Sequence, residues 1–206
     1  MSLTRRSLLA GASAATALAL AGPALAQAEL SASEQRLVAR AQAYLQSMTS
    51  VRGRFSETGP RGQRASGAFY LNRPGRMRFE YDAPSRLVVV ADGSNIHRWD
   101  PRLEVYQRVP TSQTPLSLLL AQTASFSNRN ISILRVVPSP DGAQIQLTDR
   151  RRPRDGTLTL EFGGNPYRLR SWVVMDAQGA ATRVQLVTIN PAASLPDSLF
   201  RNPRGS

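Results

Sequence analysis

The side chains able to do chemistry in this chain are few, and their spacing sets narrow limits on its work. It has one histidine and no cysteine, which removes thiol nucleophiles and the usual zinc clusters. His97 stands in a strand-like run, Asn95-Ile96-His97-Arg98-Trp99, with no second histidine beside it to complete a metal site. Serine activation needs an oriented base and a third group, and no helper for His97 is identifiable in the sequence. Asp92, Asp100, Asp141, Asp149, Asp155 and Asp176 adjoin Gly or Pro or lie close to one, the setting of turn-formers whose side chains bond their own backbone. Gly-rich phosphate loops, G-x-S-x-G elbows and H-E-x-x-H helices do not occur. A lipid- or glycan-acting hydrolase is therefore the weakest reading, and no enzyme activity, cofactor or metal is expected.

Charge is the second resource. All 26 basic residues are arginine, and the formal net charge is +12. Such a balance attracts lipid headgroups, acidic proteins or nucleic acid. The densest run is Arg150-Arg151-Arg152-Pro153-Arg154, which Pro153 and Asp155-Gly156 place in a turn. It is either a wet connection or a docking patch for an anionic surface. Arg76 and Arg78 alternate with Met77, Phe79 and Tyr81, so the cations and the aromatics take opposite faces of one strand. Base stacking needs both on one surface, and no nucleic-acid partner is expected.

The elements that position these groups are mostly strands. Leu37, Val38, Ala41, Tyr44, Leu45 and Met48 recur at three- and four-residue spacing and predict a helix from Glu34 to about Ser47, capped by Ser33. A lone helix of that length is marginal in water, so its apolar stripe must cover something. Strands are expected over 52–57, 66–73, 76–81, 86–91 and 94–99. A short helix follows at 116–121, with Thr114 as cap and Pro115 at its first position. Strands resume at 131–137, 143–148, 157–162, 168–175 and 182–189. Connections such as Asp92-Gly93 are too short for crossover helices, so neighbouring strands are antiparallel. That many strands must curl or split.

The first 28 residues form an export leader. Arg5-Arg6 precede an Ala/Gly-rich apolar stretch from Leu8 to Leu25, and small-x-small cleavage sites end at Ala26 and Ala28. The twin arginine suits either the general or the twin-arginine route. Residues 29–206 then form one domain, large enough to bury a core without staples. Without cysteine it is no acyl-anchored lipoprotein, and no later stretch reaches the ~18 apolar residues of a membrane span.

Several blocks carry a resemblance: Val51-Arg52-Gly53-Arg54-Phe55-Ser56, the long run Gly67 to Asp82 with its Asn72-Arg73-Pro74-Gly75 turn, Asp92-Gly93, Trp99-Asp100 and Thr114-Pro115-Leu116. In order and spacing the chain resembles the periplasmic outer-membrane lipoprotein carrier family LolA from about Glu34 to Phe200. The resemblance implies a mainly β fold: a strongly curved, unclosed antiparallel β-barrel of about 10–11 strands, with helices covering a hydrophobic cavity. It implies a monomeric periplasmic chaperone without stable membrane insertion. Its partners would be acylated lipoproteins, an inner-membrane ABC-type releasing complex and an outer-membrane receptor. The cavity wall would comprise Phe55, Phe69, Leu71, Met77, Phe79, Val88, Val90 and Trp99, with Leu116, Leu119 and Leu120 facing the lipid from the lid. Arg73 and Pro115 match the family's lid latch. An envelope lipid or lipoprotein sensor of the same fold is the alternative.

Physical reasoning suits that task. Three fatty acyl chains hold about 45 methylenes, and at ~0.8 kcal/mol each their full exposure costs on the order of 35 kcal/mol. Free diffusion is excluded, so a carrier needs an apolar cavity that can be emptied. Periodicity alone cannot distinguish such a cavity from an ordinary packed core.

Overall fold

The computed structural model describes residues 29–121, 125–126 and 129–204. The leader expected over residues 1–28 lies outside the described residues. Helix α1 spans Ala32–Ser47, two residues longer at its start than its periodicity predicted. Its cap is Ser31, not Ser33: the Glu34 amide donates to Ser31 Oγ at 3.3 Å, and the Ser31 amide donates to the Glu34 carboxylate at 2.8 Å. This reciprocal capping box satisfies two amides that a helix start leaves open. Ala41 and Leu45 bury the inner stripe against strands of the C-terminal half.

Strands β1 (Ser50–Thr58), β2 (Arg64–Asn72), β3 (Arg76–Tyr81), β4 (Val88–Asp92), β5 (Asn95–Asp100) and β6 (Val105–Pro110) come first. A 3-10 turn at Thr111–Gln113 and helix α2 (Leu116–Leu120) interrupt them. Strands β7 (Ile131–Ser139), β8 (Gly142–Asp149), β9 (Gly156–Gly163), β10 (Arg168–Asp176) and β11 (Ala181–Pro191) complete the set. Strand β6 was not foreseen: Gln107, Arg108 and Pro110 break its apolar alternation, and most of it is exposed.

The strongly curved, unclosed β-barrel with covering helices is overturned. The strands form one open antiparallel sheet in the order β6-β5-β4-β3-β2-β1-β11-β10-β9-β8-β7, neither closed nor rolled into a barrel. The segment between β6 and β7 passes through α2 instead of pairing them, so both remain edge strands. Helical cover among the described residues is limited to α1, the five-residue α2 and short 3-10 turns. α2 is also shorter than expected, and Pro115 stands at its N-cap without a side-chain capping bond. Thr114 does not cap it; its hydroxyl donates to Thr111 O at 3.1 Å.

One face of this sheet carries the main core. Phe69 pairs with Phe79 and Leu71 with Met77 across β2 and β3, while Phe55 of β1 meets Leu186 of β11. Residues directly opposite each other in a ladder share a face, so the alternation read in Gly67 to Tyr81 holds. Gly53 and Gly67 leave no space for a side chain between backbone and these rings. A Cβ at Gly53 would lie 1.9 Å from Thr188 O and 2.7 Å from the Phe69 ring, and one at Gly67 2.0 Å from Glu80 O and 2.7 Å from the Phe55 ring.

The opposite face has a smaller cover of its own. After β11 the chain crosses back over β3 and β4, where Arg78 donates to Leu199 O at 3.0 Å and Arg76 pairs with Asp197. Leu195 and Phe200 are buried there, and the Arg204 guanidinium sits 5.7 Å from the Trp99 ring centroid.

Candidate functional site

The inner-face aromatics converge into one cluster. Phe55 and Phe79 meet edge-on at 4.6 Å between centroids, Phe69 stacks on Phe79 at 5.8 Å, and Trp172 of β10 reaches Phe79 at 6.0 Å. Leu119 lies over this group beside Met48, Leu71, Met77 and Leu186, with only about 10 Å³ of free space between them. That is too little for more than a single small molecule of water. Farther along the strands the packing opens into a cleft of about 230 Å³, bounded by Met77, Phe79, Val89, Leu116, Trp172, Val174 and Val184. The cleft is open to solvent, whereas the cluster beneath Leu119 is filled by its own side chains.

Glu57 and Tyr81 supply the cleft's polar edge. The Tyr81 hydroxyl donates to Glu57 Oε2. Burial pushes the Glu57 carboxyl above its ordinary value, against the opposing influence of the Tyr81 hydrogen bond and the Arg98 charge. Burial and the neighbouring Glu57 charge together raise the Tyr81 phenol.

At the other end of the strands, Arg73 fastens two helices to the β2–β3 turn. Its guanidinium donates to Leu45 O at the end of α1 and, at 2.8 Å, to Ala121 O just after α2. The Gly75 amide adds a 2.8 Å bond to Leu120 O. The Leu45 carbonyl also accepts from the Met48 amide at 3.3 Å, and the carbonyls of Leu120 and Ala121 belong to a helix end, where intrahelical donors run out. Burial pushes the Arg73 guanidinium below its ordinary value, and its Nε is buried without an acceptor among the described residues.

Phe55, Phe69, Leu71, Met77, Phe79, Leu116 and Leu119 are brought together, and Leu120 is buried in the same core. Pro115, read as part of the latch, instead borders the groove that continues from the cleft past Leu116 and Val174. Val88, Val90 and Trp99 are corrections. They pair with Glu80, Arg78 and Val88 respectively, which puts them on the opposite face, beneath the C-terminal crossing. The inward positions are Val89, Ala91 and Ile96.

The chain matches the family model for the outer membrane lipoprotein carrier protein LolA over residues 46–203. It belongs to that family. It is 35% identical over 190 residues to the outer-membrane lipoprotein carrier protein of Chromohalobacter salexigens, an alignment covering 88% of this chain and 87% of that one. Identity to the Bordetella avium carrier is 30% over 202 residues, covering 91% and 90%. The protein is accordingly a non-catalytic lipoprotein carrier of the periplasm.

His97 of this carrier does have a helper that the sequence concealed. Its Nε2 lies 2.7 Å from Asp92 Oδ2 and its Nδ1 2.7 Å from the Tyr106 hydroxyl. Asp92 Oδ1 also accepts from the Ser94 and Asn95 amides. Burial alone would raise the Asp92 carboxyl, yet the bonds from Asn95, His97 and Ser94 hold it below its ordinary value. His97 pairs with Val90 across the ladder, so the group faces away from the cleft and ties a turn to β6.

Proposed function

We propose that this carrier takes acylated lipoproteins from an inner-membrane ABC-type releasing complex and delivers them to an outer-membrane receptor, with the acyl chains held under α2. Residues 1–28 are the export leader in this reading. The observation that carries it is the apolar cleft beneath a five-residue helix whose end is tied down by Arg73 and Gly75. A cleft of about 230 Å³ is small beside the ~45 methylenes of a triacylated cargo, so in this reading α2 moves before loading is complete. Arg73 acts as the latch: its bonds hold the empty form shut and are given up when chains enter.

The deciding experiment compares acylated and non-acylated forms of one cargo in competition with an apolar fluorescent probe. Selective displacement by the acylated form is expected, without nucleotide or metal; equal affinity for both forms would sink the reading. Arg73→Leu keeps an apolar stem but loses the donors. Uptake is then expected to survive while hand-off to the receptor falls, and unchanged hand-off would count against the latch.

A further inference from the structure

The face of the sheet that carries the cleft treats carboxylates differently from the face behind it. Glu80 and Asp82 flank Tyr81 in the chain, and each is paired with a guanidinium, from Arg78 and Arg54 respectively. Glu161 on β9 likewise has Arg183 at 3.1 Å. Glu57 lies on the cleft side, opposite Val184 in the β1–β11 ladder. Among the described residues no ion pair includes it. Its hydrogen bond there is the one that the Tyr81 hydroxyl donates to Oε2. Arg98, opposite Val89 on β5, acts on it through charge alone. A chain with 26 arginines against 14 acidic residues thus leaves the carboxylate of its cleft without a paired cation.

That carboxylate is held at the cleft by its partner. The Tyr81 ring packs edge-on against Phe55 at 5.0 Å between centroids, and the Tyr81 amide donates to Leu87 O at 2.9 Å. With the hydroxyl hydrogen committed to Glu57, the pair offers the cleft acceptors only. Desolvating a carboxylate costs stability unless donors or a cation compensate. A glutamine could accept the same phenol bond without the charge, so a structural tie to Tyr81 gives no reason for an acid. A donor brought by the ligand does.

We propose that Glu57 is the head-group site of the cleft, accepting from a nitrogen-bound hydrogen at the polar end of an acyl-chain ligand. The chains lie along Met77, Phe79, Leu116 and Val174, and the carboxylate at their edge selects an ammonium or amide head over an ester or a carboxylate. The inference rests on the carrier reading for the chains and on Glu57 for the head. In a cargo whose chains hang from its terminal residue, the nitrogen beside them is an ammonium when free and an amide when acylated. This preference runs against the field of the whole chain, whose formal net charge of +12 favours anions.

The test is displacement of the apolar fluorescent probe by ligands of one chain length, near neutral pH and below the concentration at which they aggregate. A primary amine, an N-methylamide, a methyl ester and a carboxylate are compared. The amine is expected to bind about tenfold and the amide about threefold more tightly than the ester, with the carboxylate weakest. Amine against amide separates the two forms of the cargo's nitrogen. Glu57→Gln is expected to bring amine and ester within about twofold and leave ester binding unchanged. Arg98→Gln removes an opposing cation at an exposed position and is expected to widen the amine's advantage about twofold. Equal binding of amine and ester, tightest binding of the carboxylate, an amine preference that survives Glu57→Gln, or one that Arg98→Gln narrows would each overturn the proposal. Displacement by every ligand alike overturns the head-group site and leaves the carrier reading standing. Displacement by none overturns both.

Discussion

The inner face of the sheet contains two differently built regions. Under α1, the strands β8, β9 and β10 present Ile145, Leu147, Leu158, Leu160 and Leu169, all fully buried. Under α2, the strands β1, β3 and β11 present aromatics, methionine and valine around a cleft, with Glu57 at its edge. The first is a close-packed aliphatic core, where each side chain has contacts on every side. The second is built from rings and a thioether, groups whose shapes leave gaps and adapt to new neighbours. One sheet thus holds a platform that cannot deform cheaply beside a wall that can, and the same hydrophobic alternation underlies both.

Substitutions can break that contrast. The largest effect is expected in the platform: Leu158→Ala should lower unfolding free energy by about 3 kcal/mol, as the neighbours cannot collapse into the hole. Denaturant titration measures it, and a loss under about 1 kcal/mol would erase the distinction. Ala143→Leu, at a fully buried platform position, should cost about 2 kcal/mol by overpacking. Val174→Phe should instead fit into the cleft with little change in stability and impair uptake of an apolar probe. Full probe uptake by this variant would place the acyl site elsewhere.

Smaller effects sharpen the boundary between the regions. Ser31→Ala removes the cap of the helix over the platform and should cost about 1 kcal/mol in thermal or denaturant unfolding. Leu116→Ala removes a side chain that already borders empty space, so its loss should stay below about 1 kcal/mol while probe affinity changes. Glu57 gives a pH signature. Its carboxyl is raised in the fold, so its favourable contribution is complete below the unfolded carboxylate range and is lost as pH rises through the folded value. Glu57→Gln should therefore gain stability relative to the unaltered protein near neutral pH and lose that advantage in acid. A pH-independent difference would show that the wall does not desolvate this group.

Much of the wall was legible because its strands alternate cleanly. Phe69, Leu71, Met77 and Phe79 are separated by polar or small residues, and a period of two names one face. The run Leu87-Val88-Val89-Val90-Ala91 gives no such guide, since five apolar residues in succession mark no parity. Its reading failed for a physical reason: Val90 is buried on the far side by a crossing that begins about a hundred residues later in the chain. The position of Trp99 was misjudged with it, and the Asp92 carboxylate was read as a turn-former although it serves the turn and His97 together. Arg73 was legible as a charge ending an apolar face. Its α1 partner was not, because a backbone carbonyl leaves no mark in the sequence.

The two edge strands of the sheet, β6 and β7, are joined through the segment that holds the short helix. No ladder of hydrogen bonds joins β6 to β7, so a shift of the segment between them does not require a row of backbone bonds to fail together. Among the described side-chain bonds, the one from Arg152 to Ser112 O ties the β8–β9 turn to the chain leaving β6, and an exposed bond of that kind is worth only about 1 kcal/mol. The short helix and its flanks are thus held by a few single bonds rather than by a ladder, at the place where a bulky guest needs added width. The ten strand pairings of the sheet stay intact while that segment gives.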